Sequence, residues 1–255
     1  MTNRTSSVRV NNYLSDRFLV TSGVPQGSVL GPILSVIYVN DMFVIVKNEP
    51  VELYLYADDA KLYKIITSKD DRALLQTCLN ALNVWCDDWG VRMNVDKCVA
   101  MRFGHRIDVD DNEDWVYNIG EEGLNYCDQI KDLGVVFNDS LNFSVHIYET
   151  INKCISILAL IQRNFKDLTK ESFLLMYKSL VRSKLEYAGN VWSPWKIKEI
   201  ESIERVQKRA TKMVKECVGL KYEERLKALN LPCLRYRRTR GDLIVVFNVL
   251  RNHED

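Results

Sequence analysis

Two adjacent aspartates, Asp58 and Asp59, interrupt the apolar and aromatic run LYLYADDAKLY at residues 53–63. Neighbouring carboxylates repel each other, and their removal from water costs free energy, so their place inside a strand-like segment calls for an explanation. One explanation is phosphoryl transfer, in which carboxylates hold two Mg²⁺ ions that align the attacking and leaving oxygens. The alternative is an ordinary polar turn, since aspartate is common in turns.

A turn-rich segment, GVPQGSVLGP at residues 23–32, precedes the aspartate pair and leads into a predicted helix. Gly23 and Gly27 allow a ligand to approach the backbone closely, because glycine has no Cβ. Gln26 lies 32 positions before Asp58, and its amide can hydrogen-bond a base or a sugar. The turn alone is a weak signal, but the turn and the aspartate pair in this order favour a site that handles nucleotides.

The elements that must position these residues are strands and helices in the first half of the chain. Strand-like residues flank the aspartate pair on both sides, so we predict a β-hairpin with the pair at its turn. Helices are predicted over about 29–42 and 70–89, the second with a capping box at Ser68 and Asp71. The expected core stripe of the second helix is Leu75, Leu79, Leu82, Trp85 and Trp89. We further predict a strand pair over 8–22, strands over 92–104 and 130–137, and an acidic loop or hairpin over 105–128.

The pattern becomes helical from about Ser144 onward. We therefore predict an α+β fold, with a mixed domain over residues 1–143 and an all-helical domain over 144–255. One predicted helical stripe consists of Phe173, Met176, Tyr177, Leu180, Val181, Leu185 and Ala188. The apolar face of a later helix consists of Ile200, Ile203, Val206, Ala210 and Met213. Basic residues lie off that face at Arg205, Lys208, Arg209, Lys212 and Lys215.

Charge differs between the two halves of the chain. Residues 1–143 contain 13 basic and 21 acidic side chains, a net charge of −8. Residues 144–255 contain 22 basic and 13 acidic side chains, a net charge of +9. The basic half suggests contact with a polyanion, and a solvated charged surface is the alternative.

Cysteine usage and hydropathy argue against several classes of protein. The seven cysteines show no C-x-x-C spacing and the three histidines are scattered, which disfavours a disulfide framework and a zinc site and favours a reducing, intracellular setting. The most apolar run, residues 29–46, is broken by Gly31, Pro32, Asn40 and Asp41. We therefore predict a buried helix there in place of a membrane span.

The ordered set of motifs resembles the reverse transcriptases of non-LTR, LINE-like retrotransposons, and especially their Jockey-like branch. The GVPQG turn and the YADD hairpin resemble parts of the palm subdomain. WGVRMNVDKCVAMRFG (89–104) resembles the lysine-bearing strand after the catalytic hairpin, and IKDLGVVF (130–137) resembles the primer-grip strand. Segments from LVRSKLEYAGNVW (180–192) onward resemble the thumb and post-thumb regions. The resemblance covers roughly residues 8–250 and implies a partial polymerase palm, an antiparallel sheet with helices, followed by an all-helical thumb.

This resemblance implies an RNA-directed DNA polymerase that transfers nucleotides onto a primer 3′-hydroxyl with two Mg²⁺ ions as cofactors. The implied partners are an RNA template, a DNA primer and deoxynucleoside triphosphates, with no membrane partner and a location in the cytoplasm or nucleus. Asp58 and Asp59 correspond to the catalytic, metal-binding pair. The implied nucleotide and template contacts are Gln26, Gly27 and Lys97, and the implied primer grip is Leu133 and Gly134.

Several implied roles have a structural alternative. Lys97, a candidate proton donor to pyrophosphate, is alternatively a surface lysine at a strand end. Contacts to the nucleic-acid backbone are expected from Lys208, Arg209 and Lys212. Arg237, Arg238 and Arg240 either contact phosphates or pair with acids such as Asp242.

One departure from the family concerns the third catalytic carboxylate, which in the family lies upstream of the GVPQG turn. Residues 1–22 contain one acid, Asp16, and its flanks (LSDRF) do not match the family's motif. We therefore expect the chain to begin within the palm, to lack the first catalytic aspartate and to have little polymerase activity by itself. A non-catalytic nucleic-acid-binding remnant and a decayed retrotransposon reading frame are the alternatives.

Overall fold

The computed structural model describes residues 4–21, 23–24, 27–104 and 115–252. The chain divides into two compact units, which we call the hairpin unit and the helical unit. The hairpin unit comprises Met1–Ala100 and Arg106–Asn125, and the helical unit comprises Met101–His105 and Tyr126–Asp255. The domains expected over 1–143 and 144–255, a partial palm and a helical thumb, stay a prediction.

The strands of the hairpin unit form small antiparallel pairs. The first two pairs are nested, with β1 (Arg4–Ser6) against β4 (Phe18–Val20) and β2 (Arg9–Val10) against β3 (Tyr13–Leu14). The others are β5 (Glu52–Tyr56) with β6 (Asp59–Tyr63) and β8 (Asn118–Ile119) with β9 (Glu122–Gly123). The nested pairs match the strand pair predicted over 8–22. Among the described residues these strands do not join into the single palm sheet that the resemblance implied, since each of these short strands pairs with only one other strand.

Two helices accompany these hairpins, at the predicted places. Helix α1 (Leu30–Val39) continues into a 3-10 segment (Asn40–Val46), and α2 spans Lys69–Asp88. The predicted capping box is present, since the Ser68 hydroxyl accepts from the Asp71 N–H and the Asp71 carboxylate accepts from the Ser68 N–H. One buried cluster joins Met42, Leu53, Leu82 and Cys86, and another joins Tyr117, Ile119 and Leu124.

The expectation of a buried helix over residues 29–46 is wrong for α1. Leu30, Ile33, Val36 and Ile37 are exposed, because the described residues of this unit pack on only one side of the segment. The apolar residues that do pack come mainly from the 3-10 segment, with Met42 buried. In the part of the chain that the structure describes, no helix is both long enough and apolar enough to span a membrane.

Residues 92–104 are not the continuous strand that alternation predicted. A 3-10 turn occupies Val95–Lys97, and the strand of this segment is limited to β7 (Val99–Ala100). The turn closes locally, since the Lys97 N–H donates to the Asn94 carbonyl at 3.0 Å and the Cys98 N–H donates to the Val95 carbonyl at 2.9 Å. Part of the acidic segment predicted over 105–128 is the β8–β9 hairpin, and residues 105–114 lie outside the described residues.

The helical unit begins with two short strands after β10 (Asn125–Tyr126). Strand β11 (Gln129–Asp132) pairs antiparallel with β12 (Val135–Asn138), so the single strand predicted over 130–137 is wrong. The reason is the Leu133–Gly134 turn, in which both residues have positive φ and reverse the chain.

Helices make up the rest of this unit, starting at the predicted Ser144. They are α3 (Ser144–Asn164), α4 (Lys170–Met176), α5 (Ser183–Glu186), α6 (Gly189–Trp192), α7 (Ile197–Thr211), α8 (Tyr222–Leu229) and α9 (Leu234–Asn252). A π-helical segment (Tyr177–Arg182) joins α4 to α5, and a 3-10 turn spans Lys215–Cys217. Twenty buried apolar residues from β12, these helices and the segments that connect them form one core cluster, which includes Leu158, Tyr177 and Trp192.

The predicted stripe along α4 and α5 is correct except at one position. Phe173, Tyr177, Val181 and Leu185 are buried at a strict spacing of four residues, whereas Leu180 is 47% exposed. Four residues advance an α-helix by about 400°, so such a stripe drifts around its surface. The π-helical segment has more residues per turn, which keeps the four side chains on one face and turns Leu180 outward.

All seven cysteines are free thiols. Cys78 and Cys86 are buried in the hairpin unit, and Cys154 and Cys217 are buried in the helical unit. Burial raises the pKa of all four thiols, and for Cys154 the pKa rises to about 11. The buried thiols are therefore protonated and unreactive at neutral pH.

Candidate active site

The aspartate pair lies at the tip of the β5–β6 hairpin, as predicted. The loop consists of Ala57 and Asp58, and Asp59 is the first residue of β6, directly opposite Tyr56. Both aspartates are exposed. A two-residue hairpin loop requires positive φ at its first position, and Ala57 supplies it at φ +54° despite its Cβ. Such backbone strain persists only where the surroundings hold it, and it is common at functional sites.

Packing of the two strands holds this turn in place. Leu53, Leu55 and Leu62 of the hairpin pack into the core of the unit, and Leu53 is paired directly with Leu62 across the two strands. At the far end, the Asp71 carboxylate of α2 accepts from Lys64 Nζ at 2.9 Å. The hydrogen bonds of Asp71 to Thr67, together with that ion pair, hold its pKa well below the usual range. The aspartate pair is thus carried by a hairpin that is attached to a long helix.

The chemistry of the pair suits a hard divalent cation. Mg²⁺ binds one or two carboxylates and completes its shell with water and substrate phosphate oxygens. Asp58 and Asp59 offer such oxygens on an exposed turn, which leaves room for a substrate. Among the described residues, no group of three or more His, Cys, Asp or Glu side chains is placed to hold a metal ion. The pair fits part of a magnesium site.

The predicted nucleotide contacts lie elsewhere in the hairpin unit. Gly27, at φ +77°, has no heavy atom within 4 Å of the place that a Cβ would take, and Gln26 lies outside the described residues. Lys97 is exposed in its 3-10 turn, not on a strand. No hydrogen bond or ion pair given by the described residues joins Gly27 or Lys97 to Asp58.

The predicted primer-grip residues form the turn between β11 and β12. Leu133 has φ +42° and Gly134 has φ +86°, and both are exposed. Their backbone shape is defined by the hairpin.

The three predicted phosphate-binding cations lie at the C-terminal end of α7. Lys208, Arg209 and Lys212 are exposed, opposite the buried Val206 and Ala210. Cations at this end also stabilise the helix by complementing its dipole, so their position has a structural explanation as well. Lys208 Nζ lies 5.2 Å from the centroid of the Tyr222 ring, which partly orders its side chain.

The arginines of the YRRTRGD motif differ in their surroundings. Arg237 makes a bidentate ion pair with Glu186, with Nη2 at 2.9 Å from Oε2, and this contact raises the pKa of Arg237. Arg238 is buried, which lowers its pKa, while Arg240 is exposed. The acid that pairs with Arg237 is therefore Glu186, 51 positions away, and sequence reasoning had named Asp242.

Comparisons with known proteins agree with this arrangement of motifs. The family model for "Reverse transcriptase (RNA-dependent DNA polymerase)" matches residues 2–137. The chain is 33% identical to the RNA-directed DNA polymerase from mobile element jockey of Drosophila melanogaster over 56% of the chain and 16% of that relative. It is 32% identical to the jockey polymerase of Drosophila funebris over 74% of the chain and 21% of that relative.

A further relative is the probable RNA-directed DNA polymerase from transposon BS of Drosophila melanogaster, 27% identical over 82% of the chain and 24% of the relative. The chain thus spans between about a sixth and a quarter of the length of these curated relatives. No solved structure matches the chain. The family model covers more than half of the residues, and the chain therefore belongs to the reverse transcriptases, as a Jockey-type member of the RNA-directed DNA polymerases of non-LTR retrotransposons.

Proposed function

We propose that the chain forms part of a polymerase that adds deoxynucleotides to a DNA primer on an RNA template. The observation that carries the proposal is the exposed Asp58–Asp59 pair on a two-residue turn that packed strands hold in place. Membership of the reverse transcriptase family supports the same reaction. The names of the relatives state this activity, but the chain covers only 16–24% of their length. For this chain the activity is therefore a proposal.

Asp58 and Asp59 would hold the divalent ions, which are Mg²⁺ in this proposal. When bound, such ions neutralise developing negative charge and orient the attacking and leaving oxygens. We assign the larger share of the binding to Asp58, because it lies in the turn itself. Asp59 begins β6, where successive side chains point to opposite faces, so the two carboxylates do not both aim at one point.

Other residues of the chain orient the substrates. Gln26 and Gly27 contact the templating and incoming nucleotides, and the open space at Gly27 supports this role. Lys97 neutralises the triphosphate and donates a proton to the pyrophosphate. The Leu133–Gly134 turn holds the primer end through its backbone.

Phosphate binding along the duplex belongs to the helical unit in this proposal. Lys208, Arg209 and Lys212 are exposed cations within two turns of one helix, which allows all three to approach one nucleic-acid backbone. Such contacts position the duplex without reading its sequence.

The proposal also includes a third carboxylate that residues 1–22 do not supply. Asp16 is their only acid, and it lies in the exposed loop between β3 and β4. Catalytic groups that act as a unit lose most of the rate when one is missing. The chain by itself should therefore extend a primer poorly.

The test is primer extension on an RNA template with Mg²⁺. It compares the chain with a fusion that carries the upstream palm segment of a jockey-type element before Met1. The fusion should extend the primer, and Asp58→Asn in the fusion should lower the rate by about 10³-fold or more. Asp87→Asn is the matched control, because Asp87 and Asp88 form another exposed adjacent pair in the same unit.

Each outcome bears on a separate part of the proposal. Extension by the fusion that survives Asp58→Asn would contradict the catalytic assignment. Asp58-dependent extension by the unfused chain would contradict the third-carboxylate argument. Duplex binding by the fusion without extension would favour a non-catalytic nucleic-acid-binding role.

A further inference from the structure

We infer that Tyr187 is a positioning residue that fixes the Leu133–Gly134 turn in the geometry used to hold the primer end. The role of the turn rests on the proposed function, whereas the role of Tyr187 rests on contacts within the helical unit.

The turn has a geometry that its own sequence does not favour. Two-residue hairpin loops of this kind require positive φ at both positions, and Asn-Gly or Asp-Gly usually supplies them. Here Gly134 suits its φ of +86°, but Leu133 has a Cβ and still adopts φ +42°. A non-glycine residue in this region persists where other contacts hold it.

Tyr187 supplies such contacts from 54 positions away. Its hydroxyl donates a hydrogen bond of 2.7 Å to the Leu133 carbonyl. Its ring lies against the turn as well, since a Cβ added at Gly134 would lie 3.2 Å from Tyr187 Cε1. One side chain therefore fixes a carbonyl of the first turn residue and packs closely against the second.

Tyr187 is itself held by the core of the unit. The indole N–H of Trp192 donates to the Tyr187 carbonyl at 2.7 Å, and Trp192 is only 1% exposed. The preceding residue, Glu186, is fixed by its bidentate pair with Arg237 of α9. The tyrosine thus extends from an anchored backbone.

The same core also fixes the hairpin beyond its turn. The Val136 N–H of β12 donates to His146 Nδ1 at 3.2 Å. The His146 ring packs edge-on against Trp192 with centroids 5.1 Å apart. Contacts therefore run from Leu133 through Tyr187, Trp192 and His146 back to the hairpin, and they close a ring around it.

This arrangement suits the positioning of a ligand on the surface. Leu133 is 41% exposed and Tyr187 is 56% exposed, so the fixed turn is accessible to a macromolecule. Binding sites gain when their geometry is fixed before the ligand arrives, because less ordering remains to be done. Tyr187 fixes the turn without itself being required to bind the primer.

The experiment uses the 255-residue chain and an RNA–DNA duplex with 2-aminopurine at the primer 3′ terminus. It measures the dissociation constant of the duplex and the fluorescence of the terminal base for the wild type and for Tyr187→Phe. Tyr148→Phe, at an exposed tyrosine of α3, is the matched control. We expect binding of the wild type to change the terminal fluorescence. Tyr187→Phe should bind with a dissociation constant within about twofold of the wild type and lose most of the fluorescence change.

A second measurement examines the turn without any ligand. Tyr187→Phe removes one hydrogen bond, so amide hydrogen exchange in β11 and β12 should become about fivefold faster, with α3 unchanged. Leu133→Gly relieves the unfavourable φ. In that background, Tyr187→Phe should therefore accelerate exchange less.

Three results would overturn the inference. A terminal fluorescence change that survives in Tyr187→Phe would show that the turn is positioned without the hydroxyl. Unaltered exchange in β11 and β12 would do the same. No terminal fluorescence change with the wild type would remove the assignment of the turn to the primer end, and the role of Tyr187 with it, while leaving the catalytic pair to be judged by primer extension.

Discussion

The two units of the molecule differ in where their stability comes from. In the helical unit, one cluster of twenty buried apolar residues joins β12 to most of the helices. In the hairpin unit, the described residues form clusters of only four and three buried residues, and α1 leaves most of its apolar side chains exposed. Small two-stranded hairpins are marginally stable without a surface to pack against. The stability of the hairpin unit, which carries the aspartate pair, therefore depends more on packing against additional protein surface than the stability of the helical unit does.

Polar groups show the same difference. Gln207 in the helical core accepts from Tyr177 Oη at 2.5 Å and donates to Tyr222 Oη and to the Pro232 carbonyl, both at 3.0 Å. In the hairpin unit, the described candidate site residues Gly27, Asp58, Asp59 and Lys97 are exposed at or beside turns. The satisfied polar network makes the core of the helical unit rigid. The candidate catalytic groups of the hairpin unit, in contrast, are accessible to a substrate.

The largest expected effect compares a tryptophan in each unit. Trp192→Ala removes a side chain that is 1% exposed and should destabilise the helical unit by about 3–5 kcal/mol. Trp89→Ala removes a side chain that is 41% exposed and stacks on Trp85 at 5.6 Å, so it should destabilise the hairpin unit by about 1 kcal/mol. Hydrogen exchange under increasing urea, resolved by segment, measures both losses. Equal losses would contradict the proposed difference in packing.

The next effect concerns the duplex. Reversing the charge at Lys208, Arg209 and Lys212 should weaken duplex binding by about two to three orders of magnitude at 0.1 M salt and make the log–log salt slope shallower by about 3. The matched control reverses three exposed cations of the hairpin unit, Lys47, Lys69 and Arg92. Titrations at several salt concentrations give both quantities. A larger loss of duplex affinity in the control would show that the duplex binds mainly to the hairpin unit, which would contradict the proposal.

A smaller effect compares one helix cap in each unit. Ser68 accepts from the Asp71 N–H at 3.2 Å, and Thr169 accepts from the Ser172 N–H at 3.3 Å. Replacing either residue with alanine should cost about 1 kcal/mol. Because we expect the hairpin unit to have the smaller free energy of unfolding, Ser68→Ala should accelerate hydrogen exchange throughout that unit. Thr169→Ala should accelerate exchange in α4 alone. Unit-wide acceleration by Thr169→Ala would show that the helical unit is the weaker one.

The smallest effect is a dependence on pH between 7.5 and 5.5, which we expect for the helical unit. Burial lowers the pKa of His146 below its usual 6.5, Glu149 opposes this shift, and the positive charges of Lys153 and Lys131 add to it. The unfolded chain binds the proton more readily, so stability is complete above about pH 6.5 and falls as the pH drops through the lowered pKa. Protonation also removes the acceptor for the Val136 N–H. Urea unfolding at pH 7.5 and 5.5 tests this, and His146→Gln should reduce the difference.

Sequence reasoning succeeded where the signal was local. The hairpin around Asp58 and the helix that begins after Ser68 follow from alternation, turn residues and a capping box within a few positions. The 130–137 hairpin was missed because Leu-Gly is not a usual turn pair, and Leu180 was misplaced because periodicity assumed an α-helix. The exposure of α1 could not be predicted, since it depends on which distant surfaces are present.

The candidate site divides in the same way. The adjacency of Asp58 to Asp59 can be read from the chain, and so can the grouping of Lys208, Arg209 and Lys212 on one helix. The contact between Tyr187 and Leu133 spans 54 positions, and that between Arg237 and Glu186 spans 51. Such pairs are determined by how the helices pack, so no local sequence pattern predicts them.

The buried free thiols can report how often each unit opens. A thiol reagent reacts with a buried cysteine only after the surrounding structure opens, so its rate counts openings. The alkylation rates of Cys78 and Cys86 report the opening of the hairpin unit, and those of Cys154 and Cys217 report the opening of the helical unit. No introduced label is needed. Mass spectrometry of a single alkylation course would separate the four rates. A polymerase segment that packs against the hairpin unit would slow the alkylation of Cys78 and Cys86 and leave the rates of Cys154 and Cys217 unchanged.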